Sequence, residues 1–122
     1  MVRLNRTKLN RPEYWTIRED DRMLLEGEKK NVEYKLEYTK TFLKTVCAYA
    51  NFHDGIIIFG IKDDGTVVGV DHIDDLKHNI ENAINDSILP KPYYELLVAT
   101  YEGANVVVVK VYKGDYTIHI ST

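Results

Sequence analysis

Cysteine is almost missing from this chain: Cys47 stands alone, so no disulfide can close within it, and a reducing cytoplasm is the expected compartment. Apolar residues never run on for the roughly 20 positions that a membrane-spanning helix needs, so no membrane partner is expected. The segment from Met1 to Arg11 is basic and polar and lacks the apolar stretch of a secretory signal. There is no GxxxxGK[ST] loop to cradle a nucleotide's phosphates, which removes ordinary P-loop hydrolysis. The four histidines and the single cysteine show no zinc-ligand spacing. Repeats, linkers and low-complexity segments are also missing. Cys47 lies within an apolar helical pattern, where a small buried hydrophobe is expected rather than a reactive thiol.

What remains is 122 residues with 44% hydrophobic content, enough for a single compact core. The net charge of −3 hides an asymmetry. Residues 1–61 carry 11 Lys/Arg against 9 Asp/Glu, whereas residues 62–122 carry 5 against 10. Arg3, Arg6, Lys8 and Arg11 make an acid-free arm suited to phosphate contact, or simply a basic terminus. The expected division is an arm and lead-in over 1–24 and one domain over 25–122.

Val32 to Leu36 alternates apolar and charged residues, the period-2 pattern of a half-buried strand, with Glu33 and Lys35 on its exposed side. Thr41 to Asn51 reads as a helix with Phe42, Leu43, Val46, Cys47 and Ala50 on its apolar stripe. Ile56 to Ile61 is a continuous β-branched and aromatic run, expected to be a strand buried on both faces. Asp64-Gly65 signals a hairpin that returns through Thr66 to Val70. Asp71 to Leu89 predicts a second helix, capped by Asp71 or Asp74 and stopped by Pro90. Strands follow at Tyr94–Tyr101 and Asn105–Tyr112. The order β-α-β-β-α-β-β predicts an α/β (α+β) domain with a mixed sheet and two main helices.

Glu28, Glu33 and Asp63 are the carboxylates that could converge on a divalent cation. Grouped together they would repel one another unless Mg²⁺ or Mn²⁺ sat among them. Such an ion would activate water or stabilise charge on a phosphodiester. Convergence requires a turn or bulge in Lys29-Lys30-Asn31, and the plainer alternative is three acids on a solvated surface. Lys35, Lys40 and Lys44 could track a phosphate strand, or form an ordinary solvated helix flank. In the turn Asn51 to Gly55, His53 could meet a phosphate or exchange protons near neutral pH, or be a plain polar loop residue. Tyr93, Tyr94, Tyr101, Tyr112 and Tyr116 could stack bases, or cover the sheet and its rim.

Taken in order, these stretches resemble the Schlafen/Alba-type DNA-binding domain family. Its pattern of a glutamate, four residues and then Glu-aromatic-Lys is matched by Glu28 and Glu33-Tyr34-Lys35. A helix ending Ala-x-Ala-Asn before a glycine-containing turn is matched by Ala48-Tyr49-Ala50-Asn51 and Gly55. An apolar strand leading into Gly-Val-x-Asp-x-Gly is matched by Gly60-Ile61-Lys62-Asp63-Asp64-Gly65, with Val68-Gly69-Val70 after it. The resemblance spans Leu25 to Tyr112. It implies a nucleic-acid-binding domain, for DNA or RNA, of the kind found in transcriptional regulators and helicase-like proteins. Phosphate contact would then fall to Lys35, Lys40, Lys44, Asn51, His53 and the arm with Arg6 and Lys8.

Some Schlafen members look like metal-dependent endoribonucleases acting on structured RNA. That resemblance implies Glu28, Glu33 and Asp63 as catalytic and metal-binding residues, with Mg²⁺ or Mn²⁺ as cofactor. Three departures stand out. Asp54-Gly55 replaces a Gly-Gly turn, His119 lies where many members have arginine, and the chain stops at Thr122 where the family often continues. The last predicts a fragment or a minimal copy that would dimerise to build a two-lobed cradle. A third expectation is a homo-oligomerisation or interaction domain, pairing through an exposed sheet edge near the C-terminus.

Overall fold

The computed structural model describes residues 14–16, 31–115 and 117–120. Its elements are β1 (Tyr14–Thr16), β2 (Val32–Lys35), helix α1 (Phe42–Phe52), β3 (Gly55–Phe59), helix α2 (Ile73–Ser87), β4 (Ile88–Leu89), β5 (Tyr93–Tyr101), β6 (Ala104–Tyr112) and β7 (His119–Ile120). Five strands form one mixed sheet in the order β1-β5-β6-β3-β2, and β4 pairs with β7 separately. The expected α+β class with a mixed sheet and two helices is what is found.

β2 and β3 run parallel, which a tight hairpin cannot achieve, and α1 supplies the return crossover. β3 is antiparallel to β6 and β6 to β5, while β1 lies parallel to β5. Tyr14–Thr16, expected in the lead-in ahead of the domain, therefore add a strand to the main sheet. Of the two long C-terminal strands, β6 is interior, between β5 and β3, while β1 accompanies β5 only along Val98–Thr100. An exposed edge of the kind the oligomerisation expectation requires is thus not offered by β6.

Gly55-Ile56-Ile57-Ile58-Phe59 is buried at every position, as its unbroken apolar run predicts. Successive side chains alternate between two clusters. Ile57 and Phe59 join Val107, Val109 and Val111 beneath the helices, and Ile56 and Ile58 join Leu97, Ala99, Val106 and Val108 on the other face. Helix α1 contributes Phe42, Leu43, Val46, Cys47, Tyr49 and Ala50 to the first cluster. Cys47 is buried, and burial pushes its thiol pKa up, so it packs as the expected small hydrophobe. Helix α2 adds Ile80, Ala83 and Ile84, with Ile73 and Leu76 partly buried.

Two local expectations are corrected. Asp71 and Asp74 do not cap α2: His72 occupies the N-cap without a side-chain bond, and Asp74 and Asp75 lie in the first turn, where the helix dipole favours them. Thr66–Val70 is not a strand. A lone bridge joins Ile61 to Val67, after which the N–H groups of Val68 and Gly69 both turn to the Gly60 carbonyl, at 2.8 and 2.9 Å. Gly60 (φ 107°) and Gly69 (φ 90°) hold that loop in a region of backbone space that other residues avoid. No described helix is long and apolar enough to cross a membrane.

Candidate nucleic-acid interface

Glu33 and Lys35 share a face of β2, as their spacing predicts, but it is not the open side of the sheet. They stand in register with Ile57 and Phe59, whose side chains lie under the helices. The pair therefore lines the seam between edge strand β2 and helix α1. Across that seam Thr45 Oγ1 donates a 2.8 Å hydrogen bond to Glu33 Oε2. Lys35 Nζ lies 3.4 Å from the same oxygen, and the lysine and glutamate side chains are 25% and 37% exposed. For a lysine that is well covered, since lysine is normally left in water. The Glu33 charge also reaches Tyr49 on α1: burial, aided by that charge, pushes its phenol up to about 12.

Lys40 and Lys44 flank the start of α1, both exposed, beyond the end of β2 where Lys35 sits. The Thr39 and Thr41 hydroxyls share a 2.7 Å hydrogen bond there. The N–H groups of Phe42, Leu43 and Lys44 bond back to the carbonyls of Thr39, Lys40 and Thr41, at 3.2, 3.1 and 3.1 Å. Lys35 at the end of β2 and Lys40 and Lys44 at the start of α1 thus flank one short connection, with Glu37 the acid in it.

Asp63 is exposed in the turn that follows β3. The turn is fixed by a 2.8 Å bond from Gly65 N–H to the Lys62 carbonyl and a 2.9 Å bond from Thr66 N–H to Asp64 Oδ1. The Thr66 side chain first, and then this backbone bond, hold the Asp64 carboxyl below its ordinary value. Among the described residues no three His, Cys, Asp or Glu side chains gather as a metal ligand set. Glu28, the third expected ligand, lies outside the described residues, as do Arg6 and Lys8 of the arm and Tyr116.

Asn51 and His53 belong to the opposite end of α1. The 13 residues from Lys40 to His53 span roughly 20 Å at the helical rise, so one phosphate cannot touch both. Asn51 uses both ends of its amide on Ile118, donating to its carbonyl (3.0 Å) and accepting from its N–H (2.7 Å). Asp54 Oδ1 accepts the Lys113 N–H at 2.8 Å, and Gly114 N–H reaches the Ala50 carbonyl at 2.9 Å. This end of α1 is thus a clip for the C-terminal segment. His53 is exposed beside it, tilted against Tyr49, with Nδ1 3.1 Å from the Asp54 carbonyl oxygen. Of the tyrosines, Tyr94 and Tyr101 pack partly buried against the two cores, while Tyr93 is 62% exposed. Tyr112 donates a 2.5 Å hydrogen bond to Glu95.

Thr45 escapes a motif-based reading. It lies 12 positions from Glu33, and the one local signal is a β-branched hydroxyl on the border of the apolar stripe of α1.

The sequence matches the model of the Schlafen, AlbA_2 family over residues 28–121. In structure the chain is similar to the N-terminal domain of a protein from Nitrosomonas europaea, described as an ATP-dependent DNA helicase RecG-related protein. The TM-score is 0.66 at 21% identity, covering 82% of this chain and 77% of that one. It is also similar to part of the DIP2311 protein from Corynebacterium diphtheriae, with a TM-score of 0.57 at 22% identity. That match covers 77% of this chain but 20% of the larger one. At these identities the likeness is one of fold. The comparison with curated proteins gave no match.

Proposed function

The chain belongs to the Schlafen, AlbA_2 family, and on that premise we propose that it binds nucleic acid through the corner where β2 meets α1. The observation that carries this is the placement of Lys35 at the end of β2 and of Lys40 and Lys44 at the start of α1, the last two exposed and Lys35 paired with Glu33. Lysines so grouped bind successive phosphates as point charges and release counterions when they do. The RecG-related neighbour is described as a DNA helicase relative, which agrees with such a role.

The test is an electrophoretic titration of labelled duplex DNA and a labelled RNA hairpin at several salt concentrations. Binding that weakens steeply with salt is expected. For duplex DNA the log–log slope should drop by about 0.9 for each of the three lysines changed to alanine. Binding indifferent to salt, or to these substitutions, would overturn the proposal.

A second reading is a Mg²⁺- or Mn²⁺-dependent endoribonuclease using Glu28, Glu33 and Asp63. What favours it is Glu33: its Oε1 accepts no hydrogen bond among the described residues, and the side chain is 37% exposed. Cleavage of the RNA hairpin that requires Mn²⁺ and disappears in a folded Glu33→Ala variant would establish it. Intact RNA after incubation of wild type with Mn²⁺ would dismiss it.

A further inference from the structure

One carboxylate oxygen, Glu33 Oε2, takes both the Thr45 hydroxyl and the Lys35 ammonium. The two partners come from different elements: Lys35 from the edge strand and Thr45 from the second turn of α1. An isolated Glu–Lys pair two residues apart on an edge strand would move freely with solvent, because both side chains are long and the pairing is screened. Here the carboxylate is fastened to the helix, and the ammonium is fastened to the carboxylate. The same proximity places the Glu33 charge near Tyr49, whose phenol is pushed up first by burial and then by that charge.

We propose that Thr45 is a positioning residue for the lysine corner: by holding Glu33 against α1 it fixes Lys35 where a phosphate meets it. The inference rests on the proposed nucleic-acid role and adds to it a residue that touches no nucleic acid. The physical gain is preorganisation. A lysine already ordered surrenders less rotamer freedom when it grips a phosphate than one ordered only at binding. The cost is partial neutralisation of Lys35 by Glu33. The two effects oppose one another, so the sign of a Thr45 substitution decides whether Glu33 acts as a clamp or a brake.

Thr45→Val keeps the shape and removes the donor, and Thr45→Ser restores it. Binding of the same labelled duplex DNA and RNA hairpin is measured for both variants and for Lys35→Ala, with thermal unfolding to confirm the fold. Thr45→Val is expected to weaken binding about five-fold, the order that one net hydrogen bond supports. The salt slope should stay unchanged, because Lys35 still meets its phosphate, and Thr45→Ser should recover wild-type affinity. If Thr45→Val fails to fold, Thr45→Ala gives the same comparison. Unchanged or tighter binding by the donor-less variant, with Lys35→Ala still weakening binding, would overturn the positioning role alone. Wild-type binding by Lys35→Ala would instead defeat the lysine-corner reading beneath it.

Discussion

Gly55 begins β3 directly beneath the Tyr49 ring, and a Cβ at that position would collide with the ring. Tyr49 is 6% exposed and cannot swing aside without opening the helix-side core. Gly55→Ala should therefore cost about 1–3 kcal/mol through overpacking, read as a lower urea midpoint. The penalty should shrink in a Tyr49→Ala background, because the two residues are in contact and their effects are coupled. Tyr49 also ties stability to alkaline pH. Its folded-state pKa is raised from 10.0 to about 12, first by burial and then by Glu33. Stability linked to this proton is fully present below 10.0 and is lost as pH rises from there through about 12, since the unfolded chain gives up the proton first. Urea midpoints followed across that range should fall steeply in wild type and less steeply in Tyr49→Phe. A residual fall is expected from Tyr94, whose phenol is also raised by burial.

At the scale of elements, the C-terminal segment after β6 is held by the end of α1. Asn51 satisfies both backbone groups of Ile118, a residue only 5% exposed in the core. Asn51→Ala would leave that N–H and carbonyl without partners at a partly buried site, a loss of about 1–3 kcal/mol. Hydrogen exchange at the Ile118 amide should accelerate more than exchange in β3 or β6, since the segment would open before the sheet does. Asn51 also shows where sequence reasoning stops. Its place at the end of an Ala-x-Ala-Asn helix was legible, because helical periodicity and the following Gly55 mark that boundary locally. Its partner Ile118 lies 67 positions away, and no local pattern points to it. The same division runs through the fold. β2 follows from a period of two and α1 and α2 from one of 3.6, whereas β3 follows from an unbroken apolar run between turn signals. Val67-Val68-Gly69-Val70 has strand composition yet makes one bridge, because the positive-φ glycines at 60 and 69 redirect the backbone. In the candidate site, the shared face of Glu33 and Lys35 was legible from alternation. That this face is the one carrying α1 was not, since it depends on which side of the sheet the crossover helix packs.

For the whole molecule the decisive quantity is how the two signs of charge are distributed. The lysine corner stands where β2 ends and α1 begins, while α2 presents Asp74, Asp75, Glu81 and Asp86 to solvent against Lys77. A net charge of −3 would repel a polyanion at long range even though one corner attracts it at contact. These two effects respond differently to salt. Phosphate contacts lose affinity through counterion release, with a slope set by how many are made. Long-range repulsion is screened once charges are farther apart than the Debye length, about 8 Å near physiological salt. Neutralising the outer face of α2 with Asp74→Asn, Asp75→Asn and Glu81→Gln should therefore speed association with duplex DNA at low salt. The advantage should vanish as salt approaches physiological strength, and dissociation should not change at any salt concentration. Stopped-flow rates for the triple variant and wild type, across a salt series, make the comparison. A change in the dissociation rate would mean instead that α2 itself lies in the interface, and the contact surface would then have to extend beyond the corner of β2 and α1.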